Sequence, residues 1–137
     1  QAIAGLNDFL LLENDSSLGS VAKLYMGRLL FDAERIEDAQ SAFQSILNHS
    51  SSNELIKNAA NISLIALYEY QKNWHGVKEA LSRLKDKQWD DLRWYTEARL
   101  LRQQGRSQEA EKYLKDLVNQ FPNSIYRESA ETQLLLN

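Results

Sequence analysis

Cysteine is absent from the 137 residues, proline occurs once and glycine five times. Without cysteine there is no disulfide framework, no thiolate zinc site and no thiol nucleophile. So little proline and glycine cannot supply the turns that many short strands need, which sets aside an all-β fold and favours helix. An excess of positive charge is also missing. The 16 Lys and Arg against 19 Asp and Glu leave a net charge of −3, no field for attracting phosphates, and nucleic acid is not an expected partner. Long apolar runs are lacking too: the richest, Leu6 to Leu12 and Ile62 to Tyr68, fall far short of the roughly 20 residues that cross a bilayer, so this segment is not expected to insert in a membrane. The chain opens on Gln1 rather than methionine. That leaves room for a preceding signal peptide, anchor or earlier repeat, and the compartment is not read from it.

Chemistry is equally sparse. Gly5, Gly19, Gly27, Gly76 and Gly105 are isolated, so no phosphate-binding loop exists. His49 and His75, the two histidines, have no neighbours at acid–base or zinc-protease spacing. Asp90-Asp91 is read as a helix start set against the macrodipole rather than as a metal or acid–base pair. Sequons occur at Asn14, Asn48 and Asn61, and Asn61 falls in the helix expected to be most buried, where a glycan has no room. No enzyme activity, cofactor or metal is expected.

What is present is helical periodicity. Hydrophobic residues make up 43% and charged residues 26%, ordinary values for a globular domain, and residues 1–137 are read as one domain. Apolar spacing predicts helices at about 2–13, 18–32, 36–48, 54–71, 74–85, 90–104, 107–120 and 124–136. The segment 54–71 is apolar on nearly every side, as expected for a helix buried all round. Ser51 with Glu54 reads as a capping box, and Pro122 as a stop. Three segments share one plan: Arg35 to Phe43, Asn73 to Leu81 and Arg106 to Leu114. With Ala39, Val77 and Ala110 equivalent, the offsets are 77 − 39 = 38 and 110 − 77 = 33, which bracket the roughly 34-residue period of helix-turn-helix repeats. Repeats at about 18–50, 54–87 and 90–122 follow, with a capping helix at 124–136. Small residues at Gly27, Ala98, Ala39 and Ala110 mark close helix approaches.

These segments resemble tetratricopeptide repeats. The third copy reads Trp94-x2-Glu97-Ala98-x2-Leu101, then Ala110-x3-Leu114 and Pro122, departing from the pattern at Glu97. The first, Lys23-x2-Met26-Gly27-x2-Leu30 with Ala39-x3-Phe43, loses the tryptophan and the proline; the second, Asn61-x2-Leu64-Ile65-x2-Tyr68 with Val77-x3-Leu81, is the most degenerate. The resemblance implies an all-α, right-handed superhelix of stacked antiparallel helix pairs, about three repeats plus flanking helices. The junction Phe121-Pro122-Asn123-Ser124-Ile125-Tyr126 is similar to repeats of bacterial cell-envelope proteins, of the periplasmic translocon-accessory or outer-membrane assembly type. It implies a periplasmic or cell-envelope location.

The resemblance further implies an interaction scaffold whose first helices line a concave surface. The variable positions there map to Leu24, Arg28, Phe31, Tyr70, Tyr95, Arg99 and Arg102, with Asp32, Ile62, Glu69 and Gln103 beside them. Aromatics and arginines supply most interface energy. The expected partner is a protein or peptide lying across Phe31, Tyr70 and Tyr95 with an acidic segment near Arg99 and Arg102. Arg99, Arg102 and Arg106 share a helix face, and pairing with acids of the adjacent helix is the competing reading. Leu24 and Arg28 stand where the family's carboxylate clamp needs lysine and asparagine, which argues against a chaperone-tail ligand. The alternative is an architectural subunit that forms a homo-oligomer or continues a longer array through apolar ends at Leu6 to Leu12 and Leu134 to Leu136.

Overall fold

The computed structural model describes residues 1–13, 16–49 and 52–136. Among them are eight α-helices, one 3-10 turn and no strand: α1 Ala2–Glu13, α2 Ser17–Asp32, α3 Ile36–Asn48, α4 Glu54–Tyr70, α5 Trp74–Ser82, α6 Asp90–Gln103, α7 Ser107–Gln120 and α8 Arg127–Leu135, with the 3-10 turn at Lys87–Trp89. The all-helical, helix-pair architecture expected from the sequence is present, and it is consistent with a tetratricopeptide-like helical repeat. The chain divides into two compact units, Gln1–Leu84 and Lys85–Asn137.

In the first unit α1 packs on α2, α2 on α3, α3 on α4 and α4 on α5, and α2 also touches α4. The first helices of successive pairs therefore lie side by side, as repeat stacking requires. In the second unit α6 pairs with α7, and α7 carries α8. The expected small residues Ala39, Ala98 and Ala110 are fully enclosed at 0% exposed, as is Val77 at the equivalent place in the second pair. A Cβ on Gly27 would lie 2.5 Å from the Phe43 ring, so only glycine lets α2 and α3 approach this closely.

The three turns inside the pairs are built alike. Glu34, Lys72 and Gly105 adopt left-handed backbone with φ of 59°, 56° and 75°, at the same 38- and 33-residue offsets as the alanine positions. In each, the amide of the following residue reaches back five positions: Arg35 N–H to Leu30 O, Asn73 N–H to Tyr68 O and Arg106 N–H to Leu101 O, at 2.8–2.9 Å. Together with the bonds from Glu34 to Phe31, Lys72 to Glu69 and Gly105 to Arg102, these are Schellman motifs closing α2, α4 and α6. The next helix then starts at once. Asn73 caps α5 by accepting from Gly76 N–H at 3.0 Å. Arg35 and Arg106 instead reach forward to Asp38 and Glu109 in the first turns of α3 and α7. The hydrogen bond from Arg106 holds the exposed Glu109 carboxyl below its ordinary pKa.

Several local expectations need correction. The residue capping α4 is Asn53, whose side chain accepts from Ile56 N–H at 2.9 Å; the expected Ser51 lies outside the described residues, as do Asn14 and Ser50. Helix α4 is not buried all round: Leu55 is 75% exposed and Tyr70 60%, while Ile56, Ala60, Asn61, Leu64, Ile65, Leu67 and Tyr68 form the buried arc, about half of the helix surface at 100° per residue. Helix α5 stops at Ser82, short of the expected 85. Helix α8 begins at Arg127 rather than 124 because Ser124 N–H bonds Phe121 O and Arg127 N–H bonds Ser124 O in a turn of their own.

Candidate functional site

Between α2 and α4 runs a cleft of about 300 Å³ lined by Arg28, Phe31, Asp32, Phe43, Ile62, Ser63 and Ala66. Its floor follows from the glycine at position 27: with no Cβ in the way, the Phe43 ring lies between the helices and is 1% exposed. Phe31, half-buried on the last turn of α2, meets Tyr70 of α4 edge to face, ring centroids 5.7 Å apart at 85°. That contact makes one aromatic wall from two repeats. The hydroxyl of Ser63 turns back to Ala59 O at 2.9 Å, so the α4 side of the cleft is mostly apolar. Arg28 and Asp32 stand exposed at its edge, and among the described residues neither makes an ion pair. Leu24 lies half-buried one turn before Arg28.

The first unit thus gathers Leu24, Arg28 and Phe31 on α2 with Tyr70 on α4. In the second unit two of the remaining expected residues, Tyr95 and Arg102, meet Gln133 of α8. Tyr95 stacks on Tyr126, centroids 5.1 Å apart and planes 18° apart, and its hydroxyl accepts from Gln133 Nε2 at 3.0 Å. Arg102 donates to the main-chain carbonyl of Gln133 at 2.7 Å. Arg99 lies over the Tyr95 ring, 5.8 Å from its centre. The expected row of three arginines on one helix face is broken: α6 ends at Gln103, and Arg106 lies past the left-handed Gly105 as the residue before α7, where it makes a two-pronged bond to Glu109 at 2.7 and 2.6 Å, while Arg102 holds α8. A docked helix contacts the face of α6 expected to meet a peptide. Gln133, which supplies two of these contacts, carried no signal of its own in the sequence.

The acidic pair at the start of α6 has structural partners. Asp90 pairs with Arg93, and Asp91 accepts from Ser124 Oγ at 2.6 Å and from Leu92 N–H, tying α6 to the α7–α8 turn. Among the described residues no group of three or more His, Asp or Glu side chains is arranged to hold a metal. No described helix is long and apolar enough to cross a membrane. Asn61 is 3% exposed, which agrees with its having no room for a glycan.

Neither curated proteins nor solved structures give a match to the chain. Residues 94–124, which run from Trp94 through the α6–α7 pair to the turn after Pro122, match the family model described as tetratricopeptide repeat, so the third helix pair is similar to that repeat.

Proposed function

We propose that the chain is a non-catalytic protein–protein interaction module that takes a partner peptide in the α2–α4 cleft, against the Phe31–Tyr70 wall. The tetratricopeptide family is in general an interaction module, which supports the class. The observation that carries the site is the cross-repeat aromatic pair: Phe31 and Tyr70 meet edge to face while Tyr70 stays 60% exposed. A large, rigid aromatic half in water beside an apolar floor is the kind of anchor that supplies binding energy at small entropic cost. Arg28 and Asp32 at the edge add charges of both signs for orienting a partner. Affinity capture with the wild-type chain, followed by calorimetric titration of a captured protein against Tyr70→Ala and Arg28→Glu, tests this. Weaker binding by both variants, with unchanged melting, is expected. Unchanged affinity in both variants places the interface elsewhere.

A second reading has its own observation. Leu11 and Leu12 in the first unit are each 84% exposed, and Leu135 and Leu136 in the second are 86% and 77% exposed. Apolar side chains this open favour self-association or a continuing repeat array. Sedimentation over a range of concentrations separates this architectural role from peptide docking. Placement in a bacterial cell envelope is our proposal from the Phe121–Tyr126 junction alone, and cell fractionation tests it.

A further inference from the structure

Helix α2 has apolar residues on two opposite sides. Its inner side, with Gly19, Ser20, Ala22, Met26, Gly27 and Leu30, is buried against its neighbours. On the outer side Leu18, Val21, Tyr25, Arg28 and Asp32 follow one another at intervals of 3, 4, 3 and 4 residues. At 100° per residue this row spans about 80° and is centred roughly 160° from the buried side. Leu18 is 60% and Tyr25 62% exposed. Val21 is half-buried, and Arg28 and Asp32 are exposed, with no ion pair to either among the described residues.

A helix that is apolar where nothing of its own chain covers it fits a further packing partner. The spacing selects the kind. Alternating steps of 3 and 4 are the a and d positions of a coiled-coil seam, in which one row of side chains meets a facing helix along its length. An extended segment presents same-side residues about 6.6 Å apart, out of step with a row that advances about 5.3 Å per member.

The two charges decide between a second copy and a different chain. Two α2 helices paired in parallel would set Arg28 on Arg28 and Asp32 on Asp32. Paired antiparallel about Tyr25, they would set Arg28 on Val21 and Asp32 on Leu18. Like charges repel, and a charge pressed onto an apolar side chain loses hydration, so self-pairing is disfavoured either way. A partner with an acid opposite Arg28 and a base opposite Asp32 removes both conflicts. Asp32 is also the last residue of α2, at the negative end of the helix dipole, where an added cation is stabilising.

We infer that this row is the docking seam for an amphipathic helix of another protein. Apolar residues at three successive a and d positions of that helix face Leu18, Val21 and Tyr25, an acid faces Arg28 and a base faces Asp32. The seam rests on the reading of the chain as an interaction module and specifies the partner's form. It uses the outer face of α2 rather than the Phe31–Tyr70 wall, so the two surfaces are separable by mutation.

Nuclear magnetic resonance titration of the 15N-labelled chain tests the seam with four acetylated, amidated peptides on an alanine–glutamine background. One carries leucine at three seam positions followed by glutamate and lysine at the next two, and the second carries the same row in reverse order, for antiparallel docking. The other two have glutamate and lysine exchanged. One of the first two is expected to shift the α2 amides saturably. Its exchanged control should bind about tenfold more weakly, a difference of roughly 1.4 kcal/mol over two exposed charge contacts. The double variant Arg28→Glu, Asp32→Lys should invert that preference. Tyr25→Ala, which removes an exposed side chain, should melt as wild type does and bind about tenfold more weakly, whereas Tyr70→Ala should bind unchanged. No saturable shift with either of the first two peptides, or equal binding of a peptide and its exchanged control, overturns the inference. Binding lost in Tyr70→Ala and kept in Tyr25→Ala also overturns it, and leaves the α2–α4 cleft as the interface. A wild-type chain that sediments as a dimer beside a monomeric Tyr25→Ala chain assigns the row to a second copy and overturns it as well.

Discussion

The ring of Phe43 occupies the space that a side chain at Gly27 would need: a Cβ there would lie 2.5, 2.8 and 2.9 Å from three ring carbons. Phe43 is 1% exposed, so it cannot swing away into solvent. Gly27→Ala gains about 1 kcal/mol of helix propensity but forces α2 and α3 apart, and overpacking of this kind costs about 1–3 kcal/mol or more. The net outcome expected is a lower denaturant midpoint. Combining it with Phe43→Leu, which clears the ring, should cost less than the two single changes added together.

The left-handed turns give the opposite sign. Glu34 and Lys72 adopt a backbone conformation that costs a residue with a Cβ about 1–2 kcal/mol, and Gly105 adopts it without that strain. Glu34→Gly and Lys72→Gly should each raise stability by about 0.5–1 kcal/mol after the unfolded-state entropy of glycine is charged against them. Gly105→Ala should lower it by about 1 kcal/mol. Three urea titrations decide the matter, and a destabilised Lys72→Gly would show that its side chain has a role the turn geometry does not reveal.

Those turns also show what was legible in the sequence. Ala39, Val77 and Ala110 gave the period because tight crossings admit few residue types. Glu34 and Lys72 hid the matching turns because the Schellman hydrogen bonds hold non-glycine residues in place, and a glycine search finds only Gly105. The half-exposed face of α4 was unreadable for a related reason: Leu55, Ile62 and Ala66 are as apolar as the buried residues, and only the position of α2 leaves a cleft there. That Arg28 and Phe31 share a face of α2, with Phe31 near Tyr70 of α4, was legible from the repeat register. Contacts of Tyr95 and Arg102 with Gln133 were not, since a glutamine near the end of a polar helix carries no pattern.

Beside the α2–α4 cleft, Tyr70→Ala removes an exposed aromatic that among the described residues has Phe31 as its only ring contact, so melting should change little while partner affinity falls by about 1–2 kcal/mol. Arg28→Glu should act through charge, and its effect should fade as salt rises, because the Debye length is only about 8 Å at physiological ionic strength. Calorimetric titrations of both variants at low and high salt separate the two contributions. A Tyr70→Ala effect that vanished with salt would contradict the apolar anchor.

The third pair can be tested through its own packing. Ala110 is 0% exposed within the cluster of Ala98, Leu101, Leu114, Leu117 and Ala130, so Ala110→Leu should cost about 1–3 kcal/mol by overpacking. Trp94 is only partly buried against that cluster and Phe121, so Trp94→Ala should cost less than the roughly 3–5 kcal/mol of a fully buried indole. Denaturant midpoints at wild-type values in both variants would contradict the α6–α7 register.

Arg102 separates the two readings of the α6 face, because a residue reserved for an absent ligand and a residue that holds α8 respond differently to removal. Its guanidinium donates to the Gln133 carbonyl at 2.7 Å from a partly buried position, and a hydrogen bond from a charged donor contributes about 1.5–3 kcal/mol. Arg102→Ala should therefore destabilise the chain by about that amount with no partner present. The Tyr95 hydroxyl and Gln133 side chain form the second tie, so Tyr95→Phe and Gln133→Ala should each cost about 0.5–1.5 kcal/mol, and the double variant should cost less than their sum. Tyr126→Ala should add the loss of the stacked pair, about 0.5–1.5 kcal/mol beyond the area it exposes. Faster amide hydrogen exchange confined to residues 127–135 in Arg102→Ala would identify α8 as the element released. Wild-type midpoints and wild-type exchange in that variant would return Arg102 to the role of a ligand contact.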